Sequence, residues 1–566
     1  MTGNMKSWKV GIDFPEWANN TDFFTMIPDY LMEGEKPIDA YKRVSKSSAK
    51  YLGMPELADE FFQMIWDNIL CLSSPVLSNS GTKRGLPISC FGIHVADDTS
   101  DIGMKLHELI MMSKMGGGVG MDHSDIRGAG SPISDIGTSD GVRPFIKMAD
   151  TVIVNMKQGK VRKAASSSSL NVRHPDFFKT FLNMRRPEGD VSLQMQKMHH
   201  TAVIPDEFME KVAVKKPEET KQYLDILKTR LETGESFLLY EGNANKANPP
   251  MYAEHNLKVR QTNICTEIML HSDVDHSFVC CLSSLNLANY DKITDRHIKL
   301  AIYFLEGLMS EFIDKASKIK GFENSVRFAE KSRALGLGVL GWHSFLLQKD
   351  LPFISPASTG WTKIIFKRIQ DLTLEASQEL AVKFGEPEWC KGHGVRHTHR
   401  TAIAPTVSNS ILHGGFSANH EPYPAVIWSE YTAKGLMFRK NKYFEKLLVE
   451  KGMDNHEIWR KIMDDNGSVQ NLDFLSNEEK ENFLTAMEID QLELVKQAAA
   501  RQNYIDQGMS LNTFFPNNAT PKYLFNVHLE AWKLGIKSMY YLKSDSPLSA
   551  DKVRKLESNS CISCDG

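Results

Sequence analysis

From about residue 74 onward, short β-like runs broken by Gly, Pro, Asn and Ser alternate with amphipathic helical stretches for several hundred residues. Alternation on that scale joins strands through helical crossovers, and it predicts an α/β barrel-like core. The runs "VSLQMQ", "FVCCLSSLNL" and "TAIAPTV" read as strands. The stretches "IKLAIYFLEGLMSEFIDKAS" and "TKIIFKRIQDLTLEASQELAVKFG" read as amphipathic helices. Ahead of this core, residues 36 to about 72 read as two helices. The first stops at Gly53, a suitable C-terminal cap. The second opens with Pro55 and sets Leu57, Phe61, Ile65 and Ile69 on one stripe. "SSSS" at 166–169 is too short for a linker, and no internal repeat is visible.

Composition narrows the function classes. The chain is 42% hydrophobic and 24% charged, which permits a large buried core. A net charge of -3 gives no electrostatic case for duplex nucleic acid or an acidic membrane. The start "MTGNMKSWKVGIDFPEW" lacks an apolar signal-peptide core, and no apolar run is long enough to span a bilayer. The 8 cysteines are scattered, which argues for reduced thiols in the cytoplasm. "CKGHGVRHTH" offers Cys390, His393, His397 and His399 as a metal cluster or as a polar approach to an apolar strand. The second reading is favoured, and no metal is assigned to the chain. The end, "DSPLSADKVRKLESNSCISCDG", has almost no large apolar residues and reads as a mobile tail. Its pair Cys561 and Cys564 suits a dithiol carrier. The alternative is a solvated tail with two incidental cysteines.

"QTNICTEIML" (261–270) carries an amide, a thiol and a carboxylate at alternate positions. In an extended chain Asn263, Cys265, Glu267 and Met269 share one face, and Ile264, Thr266, Ile268 and Leu270 the other. The first face holds a hydrogen-bonder, a redox-capable sulfur and a proton acceptor. The same stretch reads equally well as a half-buried strand with an inert thiol.

Four features call for one explanation: Cys90 in "GLPISCFG", the stretch "NICTE", "VCCLSSLNL", and "MYY" followed by the terminal Cys pair. In this order and rough separation they resemble the large, catalytic (alpha) subunit of class I ribonucleotide reductase, from about Leu72 to the last residue. The resemblance implies a ten-stranded α/β barrel with a finger loop through its centre and "NICTE" at the tip. It implies an N-terminal helical region over 1–73, the barrel over 74–545 and a redox tail over 546–566. Only 89 residues precede Cys90, so no N-terminal ATP-cone is expected.

The resemblance also implies roles. Cys265 is the thiyl radical that takes the substrate's 3′-hydrogen. Glu267 is the base at the 3′-hydroxyl, and Asn263 bonds the sugar hydroxyls. Cys90 and Cys280 are the reducing pair, with Cys281 left to packing. Cys561 and Cys564 re-reduce that pair and are reloaded by thioredoxin or glutaredoxin. Tyr540 and Tyr541 relay the radical from a separate metal-containing small (beta) subunit, although ordinary aromatic strand residues look the same. The substrate is a ribonucleoside diphosphate. Its phosphates are placed on Thr406, Val407, Ser408 and Asn409 in "IAPTVSNS", a strand running into a helix start. Ser74, Ser89 and Gly116 are further substrate contacts by motif position. Val407 stands where many relatives are acidic, which leaves a backbone contact there.

"KMGGGVGMDHSDIRGAGSPI" lacks the Lys-Ser/Thr of a P-loop and the spacing of a dinucleotide fingerprint. It resembles the loop that leads to the family's specificity site, where Asp97 and Arg127 meet a deoxynucleotide or ATP effector. "KQGKVRKAA" resembles the loop that reports the effector, with Arg162 near the substrate base. A homodimer is the family expectation. Two other functions compete. An adenosylcobalamin-dependent class II reductase shares the cysteine set, but it has no external radical for a tyrosine pair to relay. A nucleotide-binding module with structural thiols predicts no reduction under any condition.

Overall fold

A computed structural model describes residues 7–158, 162–186, 193–432, 435–516 and 518–544. Its centre is a closed ring of strands in two halves. Five strands run parallel in one half: Cys90–His94, Gly118–Asp122, Ser166–Asn171, His199–Ile204 and Phe237–Tyr240. The other half starts with Phe278–Asn286, paired antiparallel to Cys90–His94. Leu335–Leu340 lies parallel to it. Two segments then continue the ring through single parallel rungs, Leu337 to Thr401 and Ile403 to Met509. Thr513–Phe515 pairs parallel with Leu542–Ser544, and Ser538–Met539 closes the ring antiparallel to Phe237–Tyr240. Five members in each half make the expected ten-stranded α/β barrel. Leu70–Leu72 adds an antiparallel rung to the far half of Phe278–Asn286.

Helices cover the outside. Pro37–Leu52 has Pro at its first turn and stops at Gly53, whose φ of 76° only glycine adopts freely. It crosses Asp295–Ala316 at close range. A Cβ on Gly307 would lie 2.2 Å from the Ser48 carbonyl oxygen, so the crossing tolerates no side chain there. Ser48 Oγ donates to Phe304 O at 2.7 Å in the same contact.

Two strand expectations shift. "VSLQMQ" is not a strand among its described residues; the strand is the neighbouring His199–Ile204. Its paired histidines obscure the apolar pattern, yet both are buried against aromatic rings. "TAIAPTV" contributes rungs of the barrel rather than a ladder of its own. "SSSS" lies inside the strand Ser166–Asn171, with all four serines buried.

Small residues on the inner wall leave space for a chain threaded through the barrel. A Cβ on Gly120 would meet Thr262 O at 2.0 Å, and one on Gly118 would meet Ile264 at 2.9 Å. Gly508 closes in from the opposite half, where a Cβ would lie 3.0 Å from Glu267 O. The finger is therefore built by glycine at the strand positions that face it. Gly120→Ala is expected to cost about 1–3 kcal/mol through overpacking and to displace the finger. Gly103→Ala, on the helix Thr99–Lys114 with no atom within 4 Å of its Cβ, is the neutral control. Chemical denaturation of both variants checks the difference.

Candidate active site

The tip of the finger is a turn and not a pleated strand. Thr266 N donates to Asn263 O at 3.2 Å, and Thr266 has a left-handed φ of 67°. All of residues 261–270 are buried, so the half-buried strand does not hold. The turn replaces that alternation as the reason why Asn263 and Glu267 converge. Asn263 Oδ1 accepts from Ile268 N at 3.1 Å, which locks the turn, while its Nδ2 donates to Cys90 Sγ at 3.0 Å. The Cys90 thiol lies 3.8 Å from Glu267 Oε1, with the carboxylate as acceptor.

Cys90 and Cys280 are Cα partners across the antiparallel strands that join the two half-barrels. Directly opposed residues send their side chains to the same face, within the span a disulfide bridges. Both are free thiols here. The neighbouring Cys281 faces away, toward Pro87 O at 3.7 Å, and serves packing. Strand register thus separates two adjacent cysteines. Burial pushes the thiols of both Cys280 and Cys281 up.

Glu267 is buried beside these sulfurs. Burial pushes its carboxyl up to about 7, against hydrogen bonds from Asn263 and Ser510 that favour the anion. A carboxyl poised there exchanges a proton easily near neutral pH.

Cys265 points to the other side of the tip. It shares an apolar pocket with Ala165, Phe237, Ile264, Tyr540 and Tyr541. The Tyr540 hydroxyl donates to Cys265 Sγ at 3.7 Å. The Tyr540 and Tyr541 rings are 4.3 Å apart, and Phe237 wedges against both at 4.7 and 4.9 Å. The pair falls between two short strands, Ser538–Met539 and Leu542–Ser544. Arg230, buried, fixes the break by donating to Tyr540 O at 2.8 Å. Thiol and phenols therefore form one contiguous line that starts at the finger tip.

Two residues near the sulfurs escaped sequence reasoning. Gln507 Nε2 donates to Cys280 Sγ at 3.6 Å and to Leu335 O at 2.8 Å, while its Oε1 accepts from Met269 N at 3.1 Å. Ser510 Oγ lies 2.6 Å from Cys265 O and 3.2 Å from Glu267 Oε2. Both tie the finger to the segment that closes the barrel. Their signal was the polar run "DQGMSLN", which carries no metal or nucleophile spacing.

The other candidates fall as follows. Thr406, with a left-handed φ of 52°, caps the short helix Val407–Leu412, and its Oγ1 accepts from Asn419 N at 2.8 Å. Ser408 and Asn409 are buried, and Asn409 Oδ1 has no hydrogen-bond partner among the described residues. Ser89 Oγ donates to Ser73 Oγ at 3.3 Å, and Ser74 Oγ lies 3.4 Å from the Tyr30 hydroxyl. Gly116, φ 94°, turns the chain from the helix Thr99–Lys114 into Gly118–Asp122. Arg127 Nε donates to Asp97 at 2.7 Å, so the two expected effector contacts pair with each other. Arg162 pairs through its backbone with Gln158 in a two-stranded hairpin. Cys561 and Cys564 lie outside the described residues. His393 faces Glu254, His397 faces Glu306 and Ser377, and His399 faces Thr398. Those histidines and Cys390 do not gather on one point.

Comparison with known proteins places this geometry. The family description "Ribonucleotide reductase, barrel domain" matches residues 88–223, 220–392 and 387–542. "Ribonucleotide reductase, all-alpha domain" matches residues 23–85. This chain belongs to the ribonucleotide reductase large-subunit family. A ribonucleoside-diphosphate reductase large subunit of Invertebrate iridescent virus 3 is 31% identical over 90% of this chain and 92% of its own length. The large subunit of Caenorhabditis elegans is 27% identical, over 87% of this chain and 71% of its own. The solved alpha subunit of the Actinobacillus ureae class Id ribonucleotide reductase superposes with a TM-score of 0.87 at 39% identity, over 94% of this chain and 98% of that one. As a ribonucleotide reductase large subunit the chain is an oxidoreductase. The similarity to large subunits and to a class I alpha subunit supports class I over the adenosylcobalamin-dependent class. Among the described residues, no helix is long and apolar enough to cross a membrane.

Proposed function

We propose that this chain reduces ribonucleoside diphosphates to 2′-deoxyribonucleotides by thiyl-radical chemistry, for use in DNA synthesis. The observation that carries this reading is the pairing of Cys90 with Cys280 beside Asn263 and Glu267, at the same finger tip that holds Cys265 against the Tyr540 hydroxyl. A separate metal-containing small subunit supplies the one-electron oxidant. Tyr541 and Tyr540 pass the oxidising equivalent inward, and Cys265 Sγ ends the relay as the radical.

Cys265 then takes the hydrogen atom from ribose carbon 3′, while Glu267 takes the 3′-hydroxyl proton and Asn263 holds the sugar hydroxyls. Cys90 gives a proton to the 2′-hydroxyl, which leaves as water. Cys90 and Cys280 deliver two electrons and join as a disulfide. Cys265 returns the hydrogen atom to carbon 3′. One ribonucleotide and two thiols become one deoxyribonucleotide, one water and one disulfide. Cys561 and Cys564 reopen that disulfide by exchange and are reloaded by thioredoxin or glutaredoxin. The substrate diphosphate rests on Thr406–Asn409, with Ser74, Ser89 and Gly116 beside it. A deoxynucleotide or ATP at Asp97 and Arg127, reported through Arg162, sets base choice in a homodimer.

The test supplies the purified chain with a nucleoside diphosphate and dithiothreitol, once with a small subunit and once with adenosylcobalamin. Deoxynucleotide is expected only with the small subunit. Product with cobalamin alone overturns the class I reading.

Glu267 works as a base only when ionised, and its carboxyl sits at about 7. Ionisation therefore grows as pH rises through neutrality. The rate at saturating substrate is expected to climb about tenfold per pH unit below about pH 7 and to level above it. Glu267→Gln loses that limb along with most of the activity. A wild-type profile flat across this range takes Glu267 out of the role.

A further inference from the structure

The stem of the finger carries a side-chain cluster that the reduction chemistry does not use. The bridge between Val259 and His271 closes the stem. His271, Asp273 and His276 follow on the returning limb, and one ligand atom from each lies within 4.8 Å of the others. Asp273 stands between the rings: Oδ2 is 2.9 Å from His271 Nε2, and Oδ1 is 2.9 Å from His276 Nδ1.

We propose that His271, Asp273 and His276 form a binding site for a divalent transition ion of the zinc class, which clips the stem of the finger. Two imidazoles and one carboxylate, with water in the fourth place, are a donor set that zinc takes readily. Ligands about 2.0–2.1 Å from a tetrahedral ion stand roughly 3.3 Å apart. With Asp273 Oδ2 as the carboxylate ligand, its 2.9 Å contact to His271 Nε2 needs to open only by a few tenths of an ångström, and the edges to His276 Nδ1 need to adjust from within 4.8 Å. Asp273 is 40% exposed, which leaves an entry route and a solvent-facing position for the water.

The ligands are held in place without an ion, which lowers the ordering cost of binding. Lys105 Nζ and Asn324 Nδ2 donate to Val274 O at 2.9 and 3.1 Å. Arg327 donates to Asp275 O at 2.6 Å, and Asp273 N donates to His276 O at 3.0 Å. Asp273 Oδ1 already accepts from the backbone N–H groups of Asp275 and His276, so Oδ2 is the oxygen left for a metal. His271 Nδ1 lies 3.1 Å from both Lys258 O and Lys258 N. In the tautomer that frees Nε2, Nδ1–H donates to that carbonyl, the usual outer-sphere arrangement of a metal-bound histidine. The His276 ring packs 5.2 Å from Trp389, and its Nε2 is buried with no hydrogen-bond partner among the described residues. That packing turns Nδ1 toward the cluster. Binding moves each ring proton from the Asp273-facing nitrogen to the far nitrogen, so neutral histidines need release none.

The experiment uses the full chain, free of any tag, carrying Cys561→Ser and Cys564→Ser so that the tail thiols do not compete. Co2+ is titrated and followed by its visible absorption. One ion per chain is expected, with a nitrogen–oxygen ligand field, no thiolate charge-transfer band, and displacement by Zn2+. His271→Ala and His276→Ala should each weaken binding at least about tenfold, a loss typical even of outer-sphere partners. Asp275→Asn, on the same turn but outside the cluster, should bind like the parent. Hydrogen exchange needs no substitution in the cluster: Zn2+ should slow amides over 258–277 selectively. No saturable signal, a thiolate band, unchanged affinity in both histidine variants, or protection elsewhere than 258–277 overturns the site.

Discussion

Cys265→Ser is expected to fold, to bind nucleotide and to form no deoxynucleotide. The substitution exchanges one sulfur for one oxygen in a pocket lined by Phe237, Ile264, Tyr540 and Tyr541. Its structural cost is therefore small. Its chemical cost is decisive, because an alcohol O–H bond is much stronger than a thiol S–H bond and a phenoxyl radical does not break it. An added barrier of only about 5.5 kcal/mol already lowers a rate about 10⁴-fold. Turnover should fall below detection at every pH, since no general base restores a missing radical. The thermal midpoint and the nucleotide dissociation constant should stay close to those of the parent. This pattern separates the enzyme from a nucleotide-binding module with structural thiols, which would lose nothing. Measurable deoxynucleotide from Cys265→Ser would sink the thiyl mechanism.

Much of the candidate site was legible in the sequence because the proposed reduction needs particular atoms and tolerates few substitutes. Cys90, Cys265 and Cys280 stood out among a few scattered thiols, and their order carried the family resemblance. The choice of Cys280 over Cys281 came from motif matching, and register with Cys90 now supplies its physical reason. The finger tip was misread in a telling way. Period-two alternation describes a pleated strand with one face in a core, whereas residues 261–270 are enclosed on every side by the barrel they thread. No face is then exposed to reveal the pattern, and the turn at Thr266 sets the directions instead. Gln507 and Ser510 were invisible for a different reason. Each acts through hydrogen bonds to atoms distant in sequence, and nothing local distinguishes such an amide or hydroxyl from any other. The glycines that admit the finger are legible only in retrospect: nothing local marks Gly120 and Gly508 until Thr262 and Glu267 are placed against them.

Tyr540→Phe is the sharpest test of how the radical arrives. Phenylalanine keeps the ring that packs 4.3 Å from Tyr541 and 4.7 Å from Phe237, and removes only the hydroxyl that reaches Cys265 Sγ. A lost hydrogen bond of this kind costs about 1 kcal/mol, so the fold should persist. A phenyl ring has no O–H to give up and resists one-electron oxidation, so the line from Tyr541 to Cys265 is cut at its last link. Deoxynucleotide formation with the small subunit should fall at least about 10³-fold, while effector binding and small-subunit binding are retained. Tyr541→Phe should behave alike, one step further out. The two roles open to this pair then give opposite results. If Tyr540 and Tyr541 serve only to fill the space around Phe237, both variants remain active, since ring volume and stacking survive the change. If they carry the oxidising equivalent, both are dead although folded. Adding adenosylcobalamin should rescue neither, because a class I chain takes its radical from the small subunit and not from that cofactor.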